Sequence, residues 1–228
     1  MRKRDLRRQE ILQAALEVFG RTDFQGACIS EIAQKAKIAE GTIYFYFKNK
    51  EDLFFSIPAL KIEEFCDGLQ FHLQGIQDAP AKLRKMIWFY LYFFKTNPVY
   101  ARILMLEMSV SKRFSKSITF DRVPVFTDRI LEIVQEGQEE GSFRKDLDGC
   151  LVRDILLSFL EYRVTRWLLN EENYELLENY GEISDFIFER IKNLPGNPNG
   201  GRQGLRLKRL KREILREYKS NVETSPGC

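Results

Sequence analysis

Along most of this 228-residue chain apolar residues return every three to four positions, and one run, Ile43 to Phe47 within AEGTIYFYFKNK, stands against that rhythm. Taken alone, its β-branched and aromatic residues suit a buried strand. Its neighbours are helical. Ile11, Ala15, Val18 and Phe19 form one stripe, which Gly20 and the polar residues 21–26 are expected to end. Ile29, Ile32, Ala33 and Ala36 form a second at i, i+3, i+4 and i+7, followed by a break at Lys37 to Ala39. Placed on a third helix at 100° per residue, Ile43 and Phe47 share one side and Gly41 and Phe45 the other, with Thr42 and Tyr44 on the flanks. The contradiction then disappears, and an all-α fold is predicted.

The remaining helices are announced by their starts. Residues 50–76 read as a helix broken near Pro58. Asp78 with Pro80, and Asn97 with Pro98, pair an N-cap with a first-turn proline ahead of residues 82–96 and 99–109. Residues 126–140, 147–169 and 174–192 complete the set, Gly141 closing the first of these. The expected organisation is a head (1–53) with a basic arm (1–8), a helical body (54–194), and a linker with a basic amphipathic tail (195–228). In that tail Leu207, Leu210, Ile214 and Tyr218 keep helical spacing.

Charge is distributed unevenly. Lys and Arg number 10 against 8 acids in residues 1–53, 18 against 22 in residues 54–194, and 8 against 3 beyond. Four scattered cysteines without C-x-x-C spacing point to free thiols in a reducing cytoplasm. The longest apolar run, residues 86–94, falls well short of the roughly 20 residues that span a bilayer. There is one histidine, His72, and no phosphate-binding glycine loop, metal-ligand spacing or His/Cys/acid grouping. Neither catalysis nor a metal or cofactor is expected. The tail lacks Trp and Phe on its apolar side, which argues against a peripheral membrane anchor.

Two short helices joined by a three-residue turn, the second carrying rings and hydroxyls outward, have the layout of a helix-turn-helix. In that arrangement Thr42 and Tyr44 offer hydroxyls to phosphates and Phe45 an apolar face to a thymine methyl. Gly41 lets the backbone approach the duplex, at a cost to the helix of about 1 kcal/mol relative to Ala. Lys48 and Lys50, with the arm residues Arg2, Lys3, Arg4, Arg7 and Arg8, add salt-dependent attraction.

Residues 9–53 resemble the DNA-binding domain of the TetR family of bacterial transcriptional repressors, through I-x-x-A-x-x-x-F, then I-A-x-x-A, then G-T-I-Y-x-Y-F-x-N-K-x-x-L. The resemblance implies phosphate contacts from Thr42, Tyr44, Tyr46 and Lys50, and base or groove contacts from Ser30, Gly41 and Phe45. Three positions depart from the family's pattern. Cys28 replaces a capping threonine, Lys37 the customary glycine of the turn, and Ala39 is a weak N-cap.

The resemblance also implies a homodimer formed through residues 147–169 and 174–192, double-stranded operator DNA as partner, and a small effector held by the body. The segment KMIWFYLYFFK is apolar nearly all round. Residues expected to line a hydrophobic effector cavity are Phe65, Leu69, Phe71, Trp88, Phe89, Tyr92, Phe93, Leu104, Met105, Met108, Phe126 and Phe159. Arg102, Arg163 or Arg166 would meet an anionic head. Residues 131–170, with Gly137, Gly141 and Phe143 followed by Thr165 and Trp167, are similar to the fatty-acid-metabolism branch of that family. That similarity implies a repressor released by long-chain acyl-CoA or fatty acid; the alternative is an efflux repressor answering to other hydrophobic compounds.

Overall fold

The computed structural model describes residues 3–108 and 123–192. Arg2, the linker and the basic tail lie outside them. Ten α-helices form among the described residues, and no sheet; the one extended pairing is an isolated bridge between Phe143 and Lys192.

Helices α1 (Lys3–Gly26), α2 (Ile29–Lys35), α3 (Glu40–Tyr46) and α4 (Lys50–Phe55) make the head. Its core is the predicted one: Ile11, Ala15, Val18 and Phe19 of α1 are buried with Ile32, Ala33, Ile43 and Phe47. Burying Ile43 and Phe47 contributes roughly 1.5–3 kcal/mol each, and this fixes the rotation of α3 about its axis. Helix α2 ends in a Schellman motif, with the Ile38 amide donating to Ala33 O (3.0 Å) and the Lys37 amide to Gln34 O (3.1 Å). Lys37 takes the left-handed position of that motif at φ 54°, where a side chain costs about 1–2 kcal/mol. Neither Cys28 nor Ala39 caps its helix through its side chain. Helix α4 is better secured, because the Asn49 side chain accepts from the Asp52 amide and the Asp52 carboxylate accepts from the Lys48 amide, both at 2.8 Å.

The first helix does not stop at Gly20. It continues to Asp23, whose φ of 61° and ψ of −178° interrupt it before Gly26. A Cβ added at Gly20 would sit 2.1 Å from Val99 Cγ1, so this glycine serves a close crossing of helices rather than a helix end.

The body comprises α5 (Ala59–Leu73), α6 (Ala79–Thr96), α7 (Pro98–Arg102) running into a π-helical segment (Ile103–Met108), α8 (Val123–Glu140), α9 (Gly149–Leu169) and α10 (Tyr180–Ile191). Helix α6 is central and packs against α5, α8, α9 and α10. Pro58, which has no amide hydrogen to give, separates α4 from α5. Asp78 caps α6 by accepting from the Ala81 amide at 2.9 Å. Asn97 does not cap α7 in that way; its side-chain amide turns back to Phe93 O at 2.9 Å.

The last helix begins six residues later than its periodicity suggests. Residues 170–179 form a link held from α9 instead. Trp167 Nε1 donates to Tyr174 O (3.0 Å), and Arg163 donates to Leu176 O (3.2 Å) and Glu178 O (3.3 Å). Gly137, Gly141 and Phe143 also have a structural role: the Phe143 ring occupies the space a Cβ on Gly137 would need, and Gly141 turns the chain at φ 79°.

Replacing Gly20 with Ala should destabilise the fold by about 1–3 kcal/mol through overpacking. Adding Val99→Ala should return most of that loss, as read from urea denaturation of the three variants.

Candidate nucleic-acid interface and effector cleft

Burial of Ile43 and Phe47 leaves the opposite side of α3 in water. Phe45 is 68% exposed and Tyr44 53%, Thr42 and Tyr46 are half-buried, and Ser30 on α2 is exposed. An apolar ring standing this far out costs free energy unless something covers it. Gly41 makes the same point. A Cβ there would meet nothing within 4 Å, so packing inside the chain does not require a glycine at this helical position.

The basic arm is helical from Lys3 and reaches α3. The Arg4 guanidinium lies 5.5 Å from the centre of the Phe45 ring, and that of Arg8 5.0 Å from the Phe47 ring. Arg4 and Phe45 are thus brought together on one surface. Lys48, just beyond α3, is exposed as well. Lys50 has partners within the chain. Its ammonium donates to Ala27 O at 2.9 Å and lies 4.6 Å from the Phe24 ring centre, closing the loop that follows α1. A backbone carbonyl and a ring face hold the charge inward, a geometry that helical spacing alone does not reveal.

Three contacts among the described residues join the head, or the Pro58 turn that follows it, to the body. Gly20 lies against Val99. Tyr100 donates its hydroxyl hydrogen to Pro58 O at 3.3 Å, and burial raises the phenol's pKa far above its ordinary value, so it stays a donor. Glu107, in the π-helical segment, accepts from the Phe24 amide at 3.0 Å, next to the strained Asp23. Desolvation raises the Glu107 carboxyl above the ordinary carboxylate range, while the Phe24 amide acts against that rise. No sequence motif marks Glu107.

In the body, the expected lining residues divide. Phe65 is the hub of a ring cluster, with its centroid 5.3 Å from Phe89, 4.9 Å from Phe93 and 4.9 Å from Phe126. Met108 is buried, and Leu104 and Met105 are half-buried against the same core. Between α5 and α8 a cleft of about 450 Å³ is lined by Cys66, Leu69, Leu73 and Phe126, with Gln70, Gln74 and Arg129 as its polar groups. Arg129, which no sequence motif marks either, pairs with Glu132 at 2.6 Å and lies 3.8 Å from Glu136.

Other expected residues stand elsewhere. Trp88 and Tyr92 stack on each other at 4.9 Å along the outward side of α6, and Phe71 is 68% exposed, so these three do not line the cleft. The run KMIWFYLYFFK is therefore not surrounded on every side. Arg163 is taken up by the link before α10, and Arg102 lies 3.6 Å from Glu172. Phe159 and Arg166 sit on α9, half-buried and exposed respectively.

On α9 a second apolar face, away from the buried Val152, Leu156, Leu160 and Val164, carries Leu151, Ile155, Tyr162 and Leu169, all exposed. Exposed Phe186 lies on α10. No described helix is long and apolar enough to cross a membrane.

Comparison with known proteins agrees with this geometry. Residues 11–57 match the profile described as bacterial regulatory proteins, tetR family, and residues 59–189 match that of the YsiA-like protein, C-terminal region. This chain belongs to the TetR family of bacterial regulatory proteins. It is a DNA-binding transcriptional regulator. The fatty acid metabolism regulator protein of Bacillus subtilis is 25% identical over 193 residues, covering 85% of this chain and 100% of that protein. The transcriptional repressor KstR2 of Mycolicibacterium smegmatis is 30% identical over 151 residues, 64% of this chain and 72% of the relative. Among solved structures, the regulator FadR from Bacillus subtilis in complex with stearoyl-CoA has a TM-score of 0.73 at 26% identity, covering 78% of this chain and 96% of that one. The fatty acid degradation regulator FadR from Bacillus halodurans has a TM-score of 0.72 at 25% identity, covering 79% and 94%.

Because the folded Glu107 carboxyl holds its proton more tightly than the unfolded one, its protonation favours folding at low pH and that contribution is lost as pH rises through the raised value. Glu107→Gln keeps an acceptor for Phe24, so its stability relative to the parent should increase as pH rises through that window. Glu107→Ala should lose about 1 kcal/mol through the missing hydrogen bond. Urea denaturation across a pH series checks both.

Proposed function

We propose that this TetR-family regulator is a repressor, that it binds a pseudo-palindromic operator as a homodimer, and that a long-chain acyl-CoA or fatty acid releases it. The observation that carries the DNA half is the outward side of α3, where exposed Tyr44 and Phe45 accompany a glycine that internal packing does not require. In the major groove, Phe45 meets base edges while Thr42, Tyr44 and Tyr46 meet phosphates, and Ser30 supports them from α2. Arg4, beside the Phe45 ring, and Lys48 supply charge. Two such helices must sit about 34–36 Å apart, which the exposed apolar faces of α9 and α10 provide for by pairing two copies in a four-helix bundle.

The effector half rests on the cleft between α5 and α8. Its walls are apolar and lead to the Phe65 ring cluster, and Arg129 offers a cation to a carboxylate or phosphate. The relative solved with stearoyl-CoA supports this choice of ligand class. Moving α5 against α8 shifts the balance between two head positions, because Pro58 immediately precedes α5 and its carbonyl is tied to Tyr100. A hundredfold preference of ligand for the released form corresponds to about 2.7 kcal/mol of coupling.

Gly41→Ala separates folding from recognition. It should leave the fold as stable or raise stability by up to about 1 kcal/mol, yet weaken operator binding in gel-shift titrations, because the added methyl stands where the duplex comes closest. Phe45→Ala should change sequence preference by about 1–3 kcal/mol at the contacted base pair. Equal affinity for every duplex at every salt concentration would remove the operator-binding reading.

Native mass spectrometry of freshly purified protein should show bound acyl species, and added stearoyl-CoA should release a fragment from the protein's own promoter. In Arg129→Ala that release should need about tenfold more ligand, a loss of ~1.4 kcal/mol, with DNA affinity of the empty protein unchanged.

A further inference from the structure

One half-buried carboxyl of the body serves neither the effector cleft nor the outward side of α3. Glu107 stands in the π-helical segment, a winding that recurs at functional sites. Its one hydrogen bond among the described residues comes from the Phe24 amide, 83 residues away, at 3.0 Å. A carboxylate drawn partly out of water for a single amide adds little to stability, so its placement is explained by what Phe24 holds. The Phe24 ring packs 4.9 Å from Phe54 and 6.0 Å from Phe19, and the Lys50 ammonium lies 4.6 Å from its centre. Lys50 also donates to Ala27 O at 2.9 Å. Ala27 is buried and immediately precedes Cys28, at the start of α2, while Lys50 is the first residue of α4. One cation thus joins the start of α2 to the start of α4, and the recognition helix α3 lies between them in the chain. Asp23, next to Phe24, has φ 61° and ψ −178°, a conformation that costs a non-glycine residue about 1–3 kcal/mol and persists only where its surroundings hold it. From within the loop, Asp23 Oδ1 accepts from the Gly26 amide at 2.9 Å; from the body, Glu107 holds Phe24.

We propose that Glu107 is a positioning residue for DNA binding. By holding the Phe24 amide it fixes the strained turn and the ring against which Lys50 lies, and through Lys50 it fixes the starts of α2 and α4 on either side of the recognition helix. Such support is needed because neither Cys28 nor Ala39 secures its helix with a side-chain cap. The orientation of Ser30 and of α3 toward a duplex therefore depends on contacts outside those two helices. Elements held in place before the duplex arrives do not have to be ordered by it, and association is stronger for that reason. The proposal rests on DNA binding and not on the identity of the effector.

The test uses the full chain and a duplex that the parent protein selects from a random library, at one salt concentration and a temperature where circular dichroism shows every variant folded. Glu107→Ala and Glu107→Gln both remove a negative charge from a protein that meets a polyanion, so charge alone can only strengthen their binding. Positioning separates the two. Glu107→Ala should bind about tenfold more weakly, a loss of ~1.4 kcal/mol, whereas Glu107→Gln, whose side-chain oxygen still accepts from Phe24, should stay within about twofold of the parent. Phe24→Leu keeps the amide but removes the ring beside Lys50, and should also weaken binding about tenfold. Because both changes act through one path, Glu107→Ala/Phe24→Leu should fall little further than either alone. Parent affinity or better in Glu107→Ala or in Phe24→Leu overturns the proposal. So does a Glu107→Gln as weak as Glu107→Ala, or a double variant whose losses multiply to about a hundredfold.

Discussion

The close crossing of α1 and α7 at Gly20 is the contact on which the rest of the molecule depends. Only a residue without a side chain lets Val99 lie that near the α1 backbone. This crossing sets the distance between head and body, and it brings Glu107 within reach of Phe24 and Tyr100 within reach of Pro58. The three contacts differ in kind: one is packing, one joins a neutral phenol to a carbonyl, and one joins an ionisable carboxylate to a backbone amide. The head and the turn after it are therefore held to the body by a steric stop and two directional bonds.

The head shows how an exposed recognition surface follows from core packing. Ile43 and Phe47 are buried in the same core as Val18, Phe19 and Ile32. Once they are placed, helical geometry leaves Phe45 and Tyr44 no position but the outside. The weak ends of α2 and α3, with Cys28 and Ala39 contributing no side-chain cap and Lys37 in a left-handed conformation, mean that these two helices owe their stability to that core more than to their own termini. The firm cap at Asn49 and Asp52 then anchors the chain directly after the recognition helix.

Much of this was legible in the residues. Period and hydrophobic type placed α1 to α3 and the side of α3 that faces out, and Asp78 and Gly141 were recognisable as helix boundaries. The features that escaped depended on partners distant in sequence. Gly20 read as a stop because the sequence does not show Val99 across from it. Residues 174–179 read as helix because Trp167 and Arg163 hold them by hydrogen bonds that leave no periodic trace. The partner of Lys50 within the chain was not legible because the carbonyl to which it donates belongs to a loop more than twenty residues earlier. Within KMIWFYLYFFK the apolar character of Trp88 and Tyr92 concealed that they face outward, and Arg129 was overlooked because an arginine among glutamates on an amphipathic helix looks like an ordinary surface charge.

The π-helical segment bears on how this molecule can diverge. A stretch bonded i to i+5 holds one residue more than the α-helix that would fill the same length. Removing a single residue between Ile103 and Met108 would let the segment take ordinary winding over the same length, so the chain on either side would keep its register. Only the side chains inside the segment, Glu107 among them, would be re-aimed, while the hydrophobic interior around it stayed in place. A one-codon deletion here is thus a short mutational path to an altered contact between Glu107 and Phe24.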